Sequence, residues 1–298
     1  MKKNKKKRSV ARIFISIFSV LGFLGCTVAL LYPVISDRWN KYRDMQLITN
    51  YNEKINNLSE DDYTDIINSA KEYNKKLRMK GKETVTDKEY APDEYYESML
   101  NLTGTGMMGY IEVPCIGVKE PIYHYSTDDI LAHGIGHIHG SSLPVGGDST
   151  YSILTGHRGL PNQKFFSDLD QIEVGDNFYV HILNETLAYK VYDIQVIEPT
   201  EVEHLKIQDG KDLMTLVTCT PYGVNTHRLL VKGERIEFNQ EENVSDGFVT
   251  NEEHKEIVDP AIWVFIGFMV FIGLLIVIIV ITKTVKYIKK KHNSLVKK

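Results

Sequence analysis

The chain has 298 residues, with 35 Lys and Arg against 39 Asp and Glu for a net charge of −4. Residues 1–12 hold seven Lys or Arg and residues 283–298 hold seven Lys, with no acid at either end, so the centre keeps 21 basic residues against all 39 acids. Basic ends around an acidic centre exclude a nucleic-acid-binding profile, which needs its cations gathered on one folded face, and point to a membrane topology.

After the basic tail 1–12, residues 13–35 ("IFISIFSVLGFLGCTVALLYPVI") form an uncharged apolar run. The run exceeds the ~20 residues that carry a helix across ~30 Å of hydrocarbon. A cleaved signal peptide is the competing reading. The run is longer than a signal h-region and lacks an A-x-A-like cleavage site, so an uncleaved span is expected. Residues 261–282 ("AIWVFIGFMVFIGLLIVIIVIT") form a second such run, followed by the basic tail 283–298. Lys and Arg flank both runs on their terminal sides, so both termini are expected in the cytoplasm and residues 36–260 outside it. Trp39 and Trp263 stand at the outer ends of the two runs, where interfacial aromatics belong.

Residues 36–108 read as a helical extension. In "LSEDDYTDIINSAKEYNKKLRM", Ser59 with Asp62 three positions on is close to a capping box. Tyr63, Ile66, Ile67, Ala70, Tyr73 and Leu77 then recur at helical spacing against a charged opposite face. Gly81 and Pro92 interrupt the pattern, and a short helix is expected over 94–100. From Gly109 the texture changes to short runs separated by turns: "GYIEVP", "VKEPIYHY", "TYSILTG", "NFYVHIL", "TLAYKVYDIQVIE", "LMTLVTC" and "RLLVKGERIEF". Seven or eight strands at that spacing suggest a closed barrel or a sandwich over 109–240, with a linker over 241–260.

Cys26 lies in the first span, which leaves Cys115 and Cys219 outside the membrane. Two cysteines there could form one disulfide. A domain of ~130 residues buries its own core without a staple, so a free thiol is equally open. Alternation along "LMTLVTC" puts Leu213, Thr215, Val217 and Cys219 on one face, and along "RLLVKGER" it puts Arg228, Leu230 and Lys232 on one face. If the two strands pair across the loop 220–227, Cys219 and Arg228 meet at the hairpin mouth. Taken alone this is as well read as a small buried residue beside a surface arginine. "LTGHRGLP" adds His157, held just past an apolar strand in a Gly-flanked loop. Cysteine acyl chemistry needs such an imidazole to pair with the thiol and to protonate a leaving amine.

"TLVTC" with Arg228 nine residues on and "LTGHRGL" upstream resembles the sortase family of Gram-positive bacteria. "MGYIEVP", "GIGHIHGSSLPVGGDSTYSILTGHRGLP" and "LVTCTPYGVNTHRLLVKGERI" are similar to its class C, pilus-assembling branch. The resemblance covers about residues 109–238. It implies a mainly β fold: an eight-stranded barrel with short helices, preceded by a helical extension and flanked by two transmembrane helices. It also implies a transpeptidase with Cys219 as nucleophile, His157 as general acid and base, and Arg228 as oxyanion or substrate clamp. The expected substrates are pilins or other surface proteins bearing LPxTG-like C-terminal signals, and the expected acceptor is a lysine amine. No cofactor or metal is implied. Two other functions compete: a housekeeping-type sortase that attaches proteins to a cell-wall peptide, and a non-catalytic barrel that binds surface proteins.

Three features depart from the family pattern. Class C members commonly carry an Asp-Pro-aromatic lid before the barrel, whereas "TVTDKEYAPDEYY" offers Asp87, Lys88 and Glu89, so no lid residue is assigned. Cys115 stands where a charged residue is common, and Tyr151 where the family often has His. Two patterns are set aside. His133, His137 and His139 in "HGIGHIHG" lack the helical spacing and the carboxylate partner of a zinc site. "LPVGG" at 143–147 is similar to a sorting signal but lies more than 110 residues before the second span.

Overall fold

The computed structural model describes residues 2–80, 92–160, 163–201 and 205–238, with scattered helical positions between 267 and 286. The expected linker 241–260, and all but those scattered positions of the second span 261–282 and the tail 283–298, lie outside the described residues. So does the stretch 81–91 that contains Asp87, Lys88 and Glu89.

Helix α1 (Lys2–Asn56) contains the first apolar run. Its portion Ile17–Asn56 is the one described helix long and apolar enough, by length and composition, to cross a membrane. A compact unit, Ser36–Thr250, holds the rest of the described fold. Within it, α1 buries Asp44, Ile48, Tyr51 and Ile55, a stripe at helical spacing. The Tyr51 hydroxyl donates to the Met108 carbonyl (2.8 Å) and accepts from the Leu183 N–H (2.9 Å).

Helix α2 (Glu60–Lys80) starts at the expected cap: the Asp62 N–H donates to Ser59 Oγ (3.1 Å), and the Ser59 hydroxyl donates to the Asp62 carboxylate (2.7 Å). Its apolar face is laid on the barrel, with Ile67, Ala70 and Tyr73 buried and Tyr63, Ile66 and Leu77 packed beside them. Asn74, also buried, donates to the Leu143 carbonyl (3.0 Å) and accepts from the Leu143 N–H (2.7 Å). Helix α3 (Glu94–Ser98) is capped by Asp93, whose carboxylate accepts from the N–H groups of Tyr95 and Tyr96. It ends two residues before the expected limit, because Met99 turns to extended backbone (ψ 130°) and Leu100 then takes a left-handed φ of 59°.

Eight strands follow: β1 (Met107–Val113), β2 (Val118–His124), β3 (Ile135–His137), β4 (Thr150–Thr155), β5 (Asn177–Ile182), β6 (Glu185–Ile197), β7 (Asp212–Thr220) and β8 (His227–Ile236). They close into a barrel in the order β1-β2-β3-β4-β7-β8-β6-β5. The mainly β, eight-stranded barrel is the fold expected of the chain. The strand the sequence pattern missed is β3, at three residues too short to show alternation, followed closely by buried Ser141 and Ser142. Met214 and Leu216 of β7 and Leu229 and Val231 of β8 point into the main core. Val217 and Leu230 face the other way, into a smaller cluster with Ile138, Ile153 and Ile197. Cys219 and Arg228 continue the faces of Val217 and Leu230, so alternation carries them out of the barrel core.

Candidate active site

Strands β7 and β8 pair antiparallel, with Val217 opposite Leu230 and Cys219 opposite Arg228. Nucleophile and arginine candidates are thus directly opposed residues, whose side chains share one face of the sheet. Beyond them the chain turns at Pro221–Asn225: the N–H groups of Val224 and Asn225 both reach the Pro221 carbonyl (3.0 Å), and Asn225 takes φ 60°. Arg228 is half-buried, and its Nη1 contacts only the backbone carbonyls of His227 (3.3 Å) and Asn225 (3.5 Å). No carboxylate pairs with it among the described residues, so its planar fork is open to an incoming carbonyl.

His157 reaches the same place by another route. Strand β4 runs parallel to β7, with Thr155 opposite Val217. That offset of 62 residues continues past the strand end: the Thr218 hydroxyl donates to the Gly156 carbonyl (2.8 Å), and Arg158 Nη1 donates to Thr220 Oγ1 (3.2 Å). The pair between those two contacts, at the same offset, is His157 and Cys219. Each candidate is therefore bracketed by residues that bond to the residues bracketing the other. The His157 carbonyl accepts from the Phe166 N–H (3.2 Å), which fixes the far side of the loop. The imidazole is half-buried and has no hydrogen-bond partner among the described residues.

All three cysteines are free. The structure thereby decides between the two readings of Cys115 and Cys219 in favour of separate thiols. Burial, with the Asp176 carboxylate second, pushes the Cys115 thiol up to about 11. It is held in the protonated, less reactive form near neutral pH. Tyr151, at the position where the family often has His, places its hydroxyl 2.7 Å from Thr215 Oγ1 and is spent on packing β4 against β7.

The two patterns set aside have local partners. His137 is fully buried, with Nδ1 2.7 Å from the Tyr96 hydroxyl and Nε2 2.8 Å from the Ser142 carbonyl. His133 lies against Arg43, and His139 lies against Asp93 (3.5 Å) and, like His137, against the Tyr96 ring. In "LPVGG", Leu143 and Val145 are buried in the main core. The site residues that the sequence reading left out are Arg158, Thr218 and Thr220. Their signal was present in "GHRG" and "TCT", as polar residues flanking each candidate.

The Sortase domain family matches residues 111–236 of this chain. The crystal structure of sortase C1 from Streptococcus agalactiae is 48% identical, with a TM-score of 0.61, over 65% of this chain and all of that one. The X-ray structure of Clostridium perfringens sortase C with the C-terminal cell wall sorting motif is 45% identical, with a TM-score of 0.57 and the same coverage. Sortase A of Staphylococcus aureus is 35% identical over 122 residues; the match spans 57% of that protein's length. The chain matches class C enzymes over their whole solved length and shares the eight-stranded barrel that opposes Cys219 to Arg228, so it belongs to the sortase family of cysteine transpeptidases, in its class C branch.

Proposed function

We propose that this chain is a membrane-anchored pilin polymerase that cleaves an LPxTG-like signal after its Thr and joins the new acyl group to a lysine amine of another subunit. Cys219 as thiolate attacks the Thr carbonyl carbon, and the carbonyl oxygen becomes an oxyanion beside the Arg228 guanidinium. His157 gives its proton to the leaving amine as the C–N bond breaks, leaving a thioester on Cys219. A lysine amine then attacks the thioester, His157 takes the amine's proton, and the thiolate departs as the new amide forms. Water must lose that second step, so the acceptor has to dock before the thioester is exposed.

The single observation that carries this reading is the opposition of Cys219 and Arg228 on paired strands, with His157 set at the same offset as its bonded neighbours. The sorting-motif complex of the Clostridium perfringens enzyme supports a sorting signal as substrate. The apolar α1 supports anchoring, with the basic tails 1–12 and 283–298 in the cytoplasm, spans at 13–35 and 261–282, and a catalytic domain at 109–240 outside. Coexpression of the full chain with a pilin bearing an LPxTG-like signal tests the proposal. Wild type is expected to give a ladder of covalent polymers on denaturing gels, and Cys219→Ala none. Single subunits joined to cell-wall peptide would instead indicate the housekeeping reaction, and polymers with Cys219→Ala a non-catalytic barrel.

A further inference from the structure

The side chain of Arg158 is only 6% exposed, although it carries a full charge on a loop beside the site. Its fork has two partners on different elements. Nη1 donates to Thr220 Oγ1, next to Cys219, and Nη2 is bound to the Asp170 carboxylate on the short 3-10 turn Leu169–Gln171. The guanidinium also stands 5.6 Å from the Tyr222 ring centroid. The neighbouring Gly159 takes φ 82°, and a Cβ there would stand 3.2 Å from that same ring, so Tyr222 closes over the loop where only glycine fits. On the other side, the Gly159 N–H donates to Ser167 Oγ (3.0 Å). The loop carrying His157 is thus pinned to β7 on one flank by Thr218 and on the other by Arg158.

From this geometry we infer that Arg158 is a positioning residue for the transpeptidation: through Thr220 and Asp170 it holds the His157 imidazole over Cys219, in register for proton delivery to the leaving amine. The inference rests on the roles proposed for Cys219 and His157. The two pins differ in kind. The Thr218–Gly156 bond fixes backbone that β4 and β7 already pair, whereas Arg158 acts beyond the strand end, where among the described residues no other hydrogen bond ties the loop to the residue after the cysteine. A lysine could not replace it, because one ammonium lacks the planar fork that spans Thr220 and Asp170 together. Displacing a proton donor by even ~1 Å costs on the order of 100-fold in a step that needs it.

The consequence is selective for substrates whose leaving group needs a proton. An amide must receive one as its C–N bond breaks, whereas a thioester expels a stable thiolate unaided. The test compares the full chain in detergent micelles on two peptides of the same LPxTG sequence, one with the ordinary Thr–Gly amide and one with a thioester at that bond. Arg158→Gln is expected to lower the amide rate at least about tenfold relative to the thioester rate in the same sample. Thr220→Val, which removes one acceptor and leaves the Arg158–Asp170 pair, is expected to shift the ratio the same way by about threefold. The double variant should be no worse than Arg158→Gln, because both break one link. Because each ratio is taken on one sample, loss of folded protein cancels. Should Arg158→Gln fail to fold, Thr220→Val decides alone. An unchanged ratio in every folded variant overturns the inference and leaves Arg158 a structural ion pair. Failure of the underlying reading looks different: both substrates would still turn over in Cys219→Ala.

Discussion

At the scale of single residues, the barrel holds an acid whose charge state is set by where it lies. Glu120 of β2 is 6% exposed and close to Asp44 of α1, with the Gln163 amide donating to both carboxylates. Burial first, and the Asp44 charge second, push its pKa up to about 8 from the usual 4.5. Folded Glu120 therefore keeps its proton between those values while the unfolded chain releases it. The folded state binds more protons across that window, and stability falls as pH rises through it. Glu120→Gln is expected to raise stability by on the order of 3 kcal/mol at pH 8.5 and to change it little near pH 4.5. Melting of the two proteins at both pH values checks the sign, and an equal gain at both would refute the account of the proton. Residue-level detail of this kind was the least legible in sequence. Nothing near Glu120 in the chain announces Asp44 or Gln163, and the partners that bury Arg158 lie 12 and 62 positions away from it.

Among the elements, local signals were reliable and long-range ones were not. The Ser59 cap and the apolar stripe of α2 could be read because both are written within a few turns of one helix. The opposition of Cys219 and Arg228 could be read because a short hairpin fixes its own register. Strand β3 could not, since three residues between glycine-rich turns carry no period, and its place depends on pairing with β2 and β4. The same holds for the contacts that fasten the helical extension to the barrel. Tyr51 of α1 and Asn74 of α2 each satisfy one backbone N–H and one carbonyl of the barrel domain from a buried position. Tyr51→Phe and Asn74→Ala leave the N–H groups of Leu183 and Leu143 without these acceptors, while the Leu143 carbonyl keeps the Val145 N–H (2.8 Å), and each is expected to cost about 1–3 kcal/mol. Denaturant unfolding of the two variants measures the cost. Because neither side chain lies in the proposed site, the folded protein should keep its turnover rate.

At the scale of the whole molecule, the account depends on three side chains brought together from three strands or their ends. β7 supplies the thiol, β8 opposes it with the guanidinium on one side, and the continuation of β4 carries His157 on the other. The barrel order, with β7 between β4 and β8, makes that convergence a property of the topology. Cys115, at the end of β1, is remote from this convergence in sequence and protonated near neutral pH, and Cys26 lies in the apolar run of α1, so an acyl group is expected on one thiol alone. The most direct measurement is intact and peptide-level mass spectrometry of the full chain, quenched in acid after brief mixing with an LPxTG peptide and then chased with a lysine amine. The account predicts a thioester on the Cys219 peptide that disappears on chase as the amide-linked product forms. An acyl group on Cys115, or ligated product from Cys219→Ala, would contradict it.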